Sequence, residues 1–220
     1  MSVSDPPLEL MPTELLKDGW VAQDAVYPEG WWLERYWNST EGRQRDAIIR
    51  AMEQLPDFTS VLEVGCNAGP NLRRVHRRWP LAELAGMDIH AGAIRYGRAM
   101  ARAEGWAWTG YAGDLRELGL LGDGIADIVL TCYALAYLDP RDIDAVLRAA
   151  LACAKRALII CEPGTGEEEA YLPPGERNVA EYHFNYPMRL VRLPGPHSAI
   201  RTAPITPPEG RLTRVVTLLK

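Results

Sequence analysis

The sequence predicts an α/β fold whose sheet is mostly parallel and is covered by helices on both faces. Short apolar runs alternate with helical stretches through most of the chain, which is typical of such sheets. With 220 residues and 47% hydrophobic content, the chain has the size of one domain with one sizeable core. The last apolar run is rich in β-branched residues and follows the turn-like residues 207–210, so an antiparallel hairpin is expected at the C-terminal edge of the sheet.

Residues 1–42 are interpreted as an N-terminal arm or cap, and the first regular element is predicted directly after it. Four prolines and scattered acids among the first thirty residues favour irregular structure, and an aromatic-rich segment follows at 31–37. Apolar residues then recur at helical spacing over 43–55, and Pro56 ends the predicted helix.

Strands and helices then alternate along the chain. Each short apolar run is interpreted as a buried strand, and each longer amphipathic stretch as a helix that packs on the sheet. The predicted strands are 60–64, 84–89, 108–111, 128–130, 157–161 and 213–219, and the predicted helices are 69–79, 92–104 and 140–155. Residues 163–210 are rich in proline and glycine and are interpreted as an insertion on the substrate side of the domain.

The charge of the chain argues against a nucleic-acid substrate. The formal net charge is −5 and the sequence pI is about 5.5, so the chain as a whole lacks the positive field that attracts phosphate backbones. Four arginines do cluster at positions 73, 74, 77 and 78. A solvated basic helix face is the simpler interpretation of this cluster, and a local basic patch is the alternative.

The cysteines and the N-terminus indicate the compartment. Cys66, Cys132, Cys153 and Cys161 form no CxxC pair and lack histidines at ligand spacing, so neither a zinc site nor a redox motif is expected, and no metal is predicted. The N-terminus lacks the features of a signal peptide, and no apolar stretch is long enough to span a bilayer. We therefore expect a cytoplasmic protein without a membrane partner, either a monomer or a homodimer.

The strongest functional signal lies at 61–71, where a buried strand enters a tight loop that opens a helix. Gly65 and Gly69 allow the backbone to turn sharply and to approach a ligand closely. Pro70 suits an early helical position, where its missing N–H is not needed. The positive end of the helix dipole would then face the ligand.

The spacing of this loop does not fit a dinucleotide. Dinucleotide loops carry glycine at their first, third and sixth positions, and the third and sixth positions counted from Gly65 are Asn67 and Pro70. Glu63 would also place a negative charge near the phosphates. An acid at this point suits a cationic ligand better, although it could merely accept hydrogen bonds from loop amides.

These residues resemble the first motif of the class I S-adenosylmethionine-dependent methyltransferases. That motif reads acid, any residue, Gly, any, Gly, any, Gly, and residues 63–69 read Glu-Val-Gly-Cys-Asn-Ala-Gly. Asn67 replaces the middle glycine, and asparagine is among the residues that best tolerate positive φ. The resemblance implies a Rossmann-like, doubly wound sheet and S-adenosylmethionine as the cofactor, with S-adenosylhomocysteine as the product.

Three later segments match the family's order. Asp88 ends a predicted strand where the family's acid binds the two ribose hydroxyls, roughly 20 residues beyond the glycines. Residues 113–115 resemble the adenine-contacting segment, and 127–135 the fourth strand and the turn beside the methionine part of the cofactor. Asp114 could instead be a helix N-cap, and 131–133 ordinary strand-end packing. The resemblance implies that the cofactor-binding residues are Glu63, Gly65, Cys66, Asn67, Gly69, Asn71, Asp88, Ile89, Asp114, Leu115, Thr131 and Cys132.

A weaker resemblance concerns the segment upstream of the first strand. Small bacterial methyltransferases of sugar and secondary-metabolite pathways carry an aromatic residue and an arginine there, and Trp37 and Arg43 are the corresponding cofactor-binding candidates. Packing of the N-terminal cap is the alternative for the aromatic residues at 31–37.

The acceptor side offers fewer signals. The implied reaction is an in-line displacement in which the protein orients and desolvates the reactants. An O-methyl acceptor would need a base, for which His183 is the main catalytic candidate and His197 a second one. Glu162, after a predicted strand, could bind an acceptor amine or cap the turn. Tyr133 is the third predicted catalytic residue, and Tyr137 is a further pocket candidate.

Three functions are compatible with these motifs. The leading hypothesis is methyl transfer from S-adenosylmethionine to the oxygen or nitrogen of a small-molecule acceptor, which the acidic charge and compact size favour. A methyltransferase acting on protein or RNA is the second, and the arginine cluster is its only support. The third is a catalytically silent partner protein that binds the cofactor, which Asn67 and the lack of an obvious base would favour.

Overall fold

The computed structural model describes residues 31–163, 169–172, 181–193, 198–205 and 213–220. The predicted irregular arm over residues 1–30 lies outside the described residues, and so does His197. The described parts of the predicted insertion are one short helix, two short strands and the edge strand of the main sheet. The whole central alternation of strands and helices is described.

Seventeen elements follow one another along the described chain, including two short 3₁₀ helices. In order, the α-helices and strands are α1 (Trp31–Asn38), α2 (Arg43–Glu53), β1 (Ser60–Val64), α3 (Pro70–Arg78), β2 (Glu83–Asp88), α4 (Ala91–Ala103), β3 (Thr109–Ala112), β4 (Ala126–Cys132), α5 (Ile143–Cys153), β5 (Ala154–Pro163), β6 (Ala170–Leu172), β7 (Glu181–His183), α6 (Tyr186–Arg192), β8 (Ala199–Ile205) and β9 (Thr213–Leu219). The 3₁₀ helices are Leu115–Leu121 and Leu135–Tyr137. None of the described helices combines the length and the low polarity that a bilayer crossing requires.

Seven strands form one sheet in the order β3-β2-β1-β4-β5-β9-β8. The first five run parallel, with Val61 of β1 beside Leu84 of β2 and Ile128 of β4. β9 lies antiparallel to β5, and β8 lies antiparallel to β9 at the edge. The predicted Rossmann-like sheet with an antiparallel C-terminal hairpin is therefore confirmed. β6 and β7 form a separate antiparallel pair.

The predicted element bounds differ from the structure mainly around β5. That strand begins at Ala154, directly after α5, so two residues assigned to the predicted helix 140–155 belong to the strand instead. Pairing with β4 causes the difference, because Ala126 lies beside Ala154 and a register irregularity follows before Ile128. The sequence also left α1, β6, β7, α6 and β8 unpredicted, since these short elements carry little periodicity of their own.

The core fills both faces of the sheet. Successive residues of β1 point to opposite faces: Leu62 and Val64 join one buried cluster, and Val61 joins the other. All five residues of β1 are buried. Because burying a Val or Leu side chain contributes roughly 1.5–3 kcal/mol, the central strands are firmly held. Their carboxyl ends, where the predicted site residues lie, are fixed with them.

The predicted arginine cluster lies on α3 and contacts acids of the same chain. The ion pairs are Arg73 with Glu104, Arg74 with Asp46, and Arg78 with Glu53. The Arg73 guanidinium also lies over the Trp37 ring, 4.8 Å from its centroid. The fourth arginine, Arg77, places Nη1 3.4 Å from Thr40 Oγ1. This face of α3 therefore holds the two N-terminal helices against the domain.

Candidate active site

The loop between β1 and α3 forms the tight turn that its glycines predict. Gly65, Asn67 and Gly69 have φ values of 76°, 50° and 84°. Glycine adopts positive φ readily and asparagine tolerates it, so Asn67 keeps the conformation of a glycine position. A Cβ on Gly65 would lie 2.1 Å from the Cβ of Ala134. Glycine at 65 thus allows the loop to lie against the turn that follows β4.

The carboxylate of Asp88 ties this loop to the end of β2. Its Oδ2 accepts the N–H of Asn67 at 2.7 Å, and its Oδ1 accepts the N–H of His90 at 2.8 Å. Burial raises the pKa of the Asp88 carboxyl, and the two N–H donors oppose that shift. A carboxylate has about four lone-pair sites, so Asp88 can accept further hydrogen bonds from a ligand.

Glu63 is a buried acid beside the loop, with 1% of its surface exposed. Its Oε1 accepts a hydrogen bond from Asn71 Nδ2 at 2.6 Å. Within the described ranges, Glu63 Oε2 and Asn71 Oδ1 have no hydrogen-bond partner. Burial raises the pKa of Glu63 to about 8, and the Asn71 hydrogen bond and the Arg45 charge oppose this rise. A buried acid with an unused oxygen is expected where a ligand completes the site.

The structure places Trp37 and Arg43 outside this arrangement. Trp37 is buried and stacks on Trp106, with ring centroids 6.0 Å apart, beneath the Arg73 guanidinium. These contacts correspond to the packing alternative for the aromatic segment. Arg43 is the exposed first residue of α2.

Arg45, two residues further along α2, is the arginine whose charge reaches the loop. It acts to lower the pKa of both Glu63 and Cys161. Its Nη2 donates to Ser39 Oγ at 3.0 Å, and its Nε is buried without a hydrogen-bond partner in the part of the chain that the structure describes. Residues two apart in a helix lie on different faces, so the exposed Arg43 and the inward Arg45 cannot exchange places.

The segment after β3 lies beside the end of β2. The N–H of Gly113 donates to the carbonyl of Asp88 at 3.0 Å. Asp114 caps the 3₁₀ helix that follows, since its side chain accepts the N–H two residues further on at 3.0 Å. The partly buried apolar side chains in these segments are Ile89 and Leu115.

The turn after β4 has a strained backbone at Tyr133, whose φ is 55°. Such a conformation is uncommon for a large aromatic residue, costs roughly 1–3 kcal/mol, and clusters at functional sites. The Tyr133 hydroxyl lies 2.6 Å from Thr213 Oγ1, and its N–H donates to the Cys161 carbonyl at 3.1 Å. Thr131 and Cys132 end β4 just before it, so β9 and β5 together hold this turn in place.

Glu162 is fully buried next to the same turn. Its Oε1 accepts the Thr131 hydroxyl and the N–H groups of Ala134 and Leu135, the latter two at 2.9 and 3.1 Å. Burial raises the pKa of Glu162 to about 7 against these donors. Glu162 Oε1 therefore caps the turn, while its buried Oε2 has no hydrogen-bond partner among the described residues.

His183 ends β7 beside another acid. Its Nε2 lies 3.6 Å from Glu181 Oε2, and the Tyr137 hydroxyl donates to Glu181 Oε1 at 3.4 Å. The side chains of His183 and Glu181 are each 10% exposed. Tyr137 belongs to the 3₁₀ turn that Glu162 caps. His183 is therefore linked through Glu181 and Tyr137 to the turn after β4.

Solved methyltransferases share this fold. The 1,6-didemethyltoxoflavin-N1-methyltransferase of Burkholderia thailandensis, with bound 1,6-didemethyltoxoflavin and S-adenosylhomocysteine, has a TM-score of 0.71 at 16% identity over 99% of this chain and 93% of that one. The magnesium protoporphyrin IX methyltransferase of Synechocystis PCC 6803 with bound S-adenosylhomocysteine has a TM-score of 0.69 at 18% identity, over 95% and 100%. No curated protein has a significantly similar sequence.

A sequence family supplies the decisive comparison. Residues 61–157 match the model of a family described as a methyltransferase domain. The chain therefore carries a methyltransferase domain over this range, and its fold is that of solved S-adenosylmethionine-dependent methyltransferases. The matched range includes the glycine loop, Asp88 and the turn after β4, so the prediction of a methyltransferase is confirmed over these residues.

In this methyltransferase, most of the predicted site residues lie at one edge of the sheet. Those at the carboxyl ends of the strands or in the loops that leave them are Glu63, Gly65, Cys66, Asn67, Gly69, Asn71, Asp88, Ile89, Asp114, Leu115, Thr131, Cys132, Tyr133 and Glu162. Arg45 and Glu181 were not predicted from the sequence. Residues two apart in a strand lie on the same face. The spacing of Glu181 and His183 was therefore the one feature of the sequence that could have predicted their contact.

The thiols of the methyltransferase are all free. Cys66, Cys153 and Cys161 are buried and Cys132 is partly buried. Burial raises the pKa of Cys66 well above the usual thiol range, which disfavours the thiolate. No group of three or more His, Cys, Asp or Glu side chains within the described ranges is arranged to hold a metal ion.

Proposed function

We propose that the methyltransferase holds its cofactor at the carboxyl ends of β1 and β2 and methylates a small-molecule acceptor from the side of β4 and β5. The bound cofactor supplies a sulfonium methyl group, which an acceptor nucleophile displaces. The protein orients the reactants and removes water from them. The observation that carries the proposal is the Asp88 carboxylate, which joins the glycine loop to β2 and keeps unused acceptor sites.

Asp88 is assigned to the two ribose hydroxyls of the cofactor. The N–H groups of Asn67 and His90 take one site on each of its oxygens, so two ligand hydroxyls can bind without displacing either. The adenine ring is assigned to the neighbouring segments, which contain Ile89, Asp114 and Leu115. The Gly113 hydrogen bond to the Asp88 carbonyl supports this placement, because it brings the segment after β3 to the end of β2.

Glu63 and Arg45 are assigned to the methionine end of the cofactor. That end carries an ammonium and a carboxylate, which need a hydrogen-bond acceptor and a donor. Glu63 Oε2 and Arg45 Nε are buried atoms with no hydrogen-bond partner among the residues described. Arg45 thus takes the place that the sequence suggested for Arg43. The remaining assignments are the backbone and side chains of Gly65, Cys66, Asn67, Gly69, Asn71, Thr131 and Cys132, which line the loop and the end of β4.

Tyr133 and Glu162 are assigned to shaping the acceptor side. The Tyr133 hydroxyl contacts Thr213, and Glu162 Oε1 accepts three hydrogen bonds, while Glu162 Oε2 has no hydrogen-bond partner among the described residues. Groups held in this way fix the turn after β4 against the glycine loop. Tyr133 and Glu162 are thus assigned to holding this turn in place, whereas His183 is assigned to contact the acceptor.

A small acceptor is favoured over protein or RNA. The formal net charge is −5, and three of the four clustered arginines are paired with acids of the chain. The cluster was the only feature that favoured a macromolecular substrate. Two structural neighbours are named for small-molecule acceptors, 1,6-didemethyltoxoflavin and magnesium protoporphyrin IX. Asn67 also gives no support to a silent protein, since it keeps the loop conformation.

Methylation of a cell extract tests this proposal. The purified enzyme is incubated with extract and with S-adenosylmethionine labelled in the methyl group, and the products are separated by size. We expect the label in the small-molecule fraction, and an Asp88→Ala variant should transfer much less. Label recovered mainly in protein or RNA would support the second function, and cofactor binding without any transfer would support the silent one.

A further inference from the structure

Cys132 and Cys161 lie side by side at the carboxyl ends of β4 and β5. They are register partners in the parallel pairing of these strands. Both pack in the same apolar cluster on one face of the sheet, so their side chains point to the same side. Neighbouring strands are about 4.8 Å apart, which falls within the Cα separation of about 4.4–6.8 Å that disulfides span. The backbone therefore places these two thiols where a disulfide bond can join them.

The two thiols differ in exposure. Cys132 is partly buried, whereas Cys161 is buried. A hydrogen bond shared with the Cys132 thiol, together with burial, raises the pKa of Cys161 well above its usual range, and the charge of Arg45 opposes this rise. A protonated thiol is a poor nucleophile. An oxidant in solution therefore reacts first with Cys132, and Cys161 is the thiol that reacts with the oxidised Cys132.

We propose that Cys132 and Cys161 form a reversible disulfide when the enzyme meets a hydroperoxide, and that this bond lowers methyl transfer. The site of modification follows from the strand pairing, whereas its effect on transfer rests on the proposed function. No such pair was expected from the sequence, because the two residues belong to different strands and show no CxxC spacing.

The chemistry runs in two balanced steps. The Cys132 sulfur attacks the peroxide, the O–O bond breaks, and one oxygen stays on sulfur as a sulfenic acid while the other leaves as water or an alcohol. The Cys161 sulfur then attacks the Cys132 sulfur, the S–O bond breaks, and the proton of Cys161 leaves with the oxygen as water. The two sulfurs together lose two electrons, which the peroxide gains. A dithiol reverses the process by thiol–disulfide exchange.

The bond would disturb the turn after β4. The Cβ atoms of a disulfide are about 3.8 Å apart, which is closer than the spacing of about 4.8 Å between strands. Closing the bond therefore draws the ends of β4 and β5 together. The Tyr133 N–H donates to the Cys161 carbonyl at 3.1 Å, so the turn moves with them. A misplacement of about 1 Å can lower a rate about 100-fold.

The other cysteines provide a control. Cys153 ends α5 and packs in the apolar cluster on the opposite face of the sheet, where its Sγ donates to the Leu118 carbonyl at 3.7 Å. A Cys153→Ala variant therefore removes a buried thiol and leaves the Cys132–Cys161 pair intact. Cys161→Ala removes the thiol that closes the bond, and Cys161 is not among the residues assigned to the cofactor or the acceptor.

The test uses the full enzyme, reduced with a dithiol that is then removed, and treated briefly with hydrogen peroxide, which catalase destroys before each assay. Peptide mapping by mass spectrometry without reduction should show one link, between the peptides that contain Cys132 and Cys161. Transfer of labelled methyl groups to the small molecules of a cell extract should fall about 10- to 100-fold, and the dithiol should restore it. Cys153→Ala should respond like the wild type. Cys161→Ala should form no link and should keep most of its transfer.

Each other outcome overturns the inference. A wild type that stays unlinked, or that links to Cys66 or Cys153 instead, overturns the site of modification. A Cys132–Cys161 link that leaves transfer unchanged overturns its effect, and so does an equal loss of transfer in Cys161→Ala. If Cys161→Ala has a lowered thermal stability, Cys161→Ser takes its place. Calorimetric binding of S-adenosylhomocysteine to the reduced wild type is measured in parallel, because its absence would count against the proposed cofactor site and not against the disulfide.

Discussion

Glu63 and Glu162 lie at the carboxyl ends of β1 and β5, and the contrast between them separates the cofactor half of the site from its scaffold. Both are buried, and burial raises the pKa of Glu63 to about 8 and that of Glu162 to about 7. Glu162 Oε1 accepts three hydrogen bonds, two of them from backbone N–H groups. Glu63 accepts one side-chain hydrogen bond, from Asn71.

This difference shows that the residue type and the strand position of a buried acid do not determine which groups it binds. What matters is how many donors the chain itself supplies. The turn after β4 folds back onto Glu162 and uses it as a cap. The loop after β1 directs its backbone toward Asp88 instead. Each acid keeps a buried Oε2 without a hydrogen-bond partner among the described residues, so the two acids differ in the donors that reach Oε1.

The largest effect is expected from Glu162→Ala. Removing the carboxylate leaves the N–H groups of Ala134 and Leu135 and the Thr131 hydroxyl without their acceptor, and each buried unsatisfied group costs roughly 1–3 kcal/mol. We expect the free energy of unfolding to fall by about 3 kcal/mol, measured by urea denaturation with tryptophan fluorescence. The control is Glu53→Ala, whose ion pair with Arg78 is partly exposed and should contribute less than about 1 kcal/mol. An unchanged midpoint for Glu162→Ala would contradict its function as a cap.

The next effect concerns cofactor affinity. Asp88→Ala removes the acceptor proposed for two ribose hydroxyls, and hydrogen bonds to a charged group contribute about 1.5–3 kcal/mol each. We expect the dissociation constant for S-adenosylhomocysteine to rise about 100-fold in isothermal titration calorimetry. Asp127→Ala is the matched control, because that carboxylate accepts hydrogen bonds from Thr59 at the opposite end of β4. Equal losses in the two variants, or none in Asp88→Ala, would remove the ribose assignment.

A third effect concerns the pH dependence of stability. The pKa of Glu63 is about 8 in the folded chain against an ordinary value of 4.5. As the pH rises through this window, the unfolded chain loses this proton first, so the free energy of unfolding falls, by up to about 1.4 kcal/mol per pH unit. Glu63→Gln carries no such proton and should give a flatter curve.

Urea titrations of the wild type and of Glu63→Gln at about pH 5 and about pH 8 measure this slope. The variant should gain stability relative to the wild type as the pH rises. Glu162 contributes a similar slope up to about pH 7 in both proteins, so it cancels in the difference. Parallel curves for the two proteins would show that Glu63 is not a raised-pKa acid.

Much of the fold and half of the site could be predicted from the sequence. The strands at 60–64 and 213–219 were predicted with the bounds that the structure has. The glycine loop and Asp88 followed from spacing within a short stretch, and the structure joins them through the Asn67 N–H. Arg43 was chosen from the resemblance alone, whereas Arg45 lies one helical turn before the buried Ile48 and so on the buried side of α2.

The sequence by itself determined the α/β class, the tight loop and the acid that follows it, because these depend on periodicity and on backbone preferences that act over a few residues. Only the tertiary structure decided which polar side chains meet. Glu162 reaches a threonine 31 residues away, and Tyr137 reaches Glu181 across 44 residues. Such contacts form where strands and turns converge at one sheet edge. They cannot be predicted from residue patterns within a short stretch of the sequence.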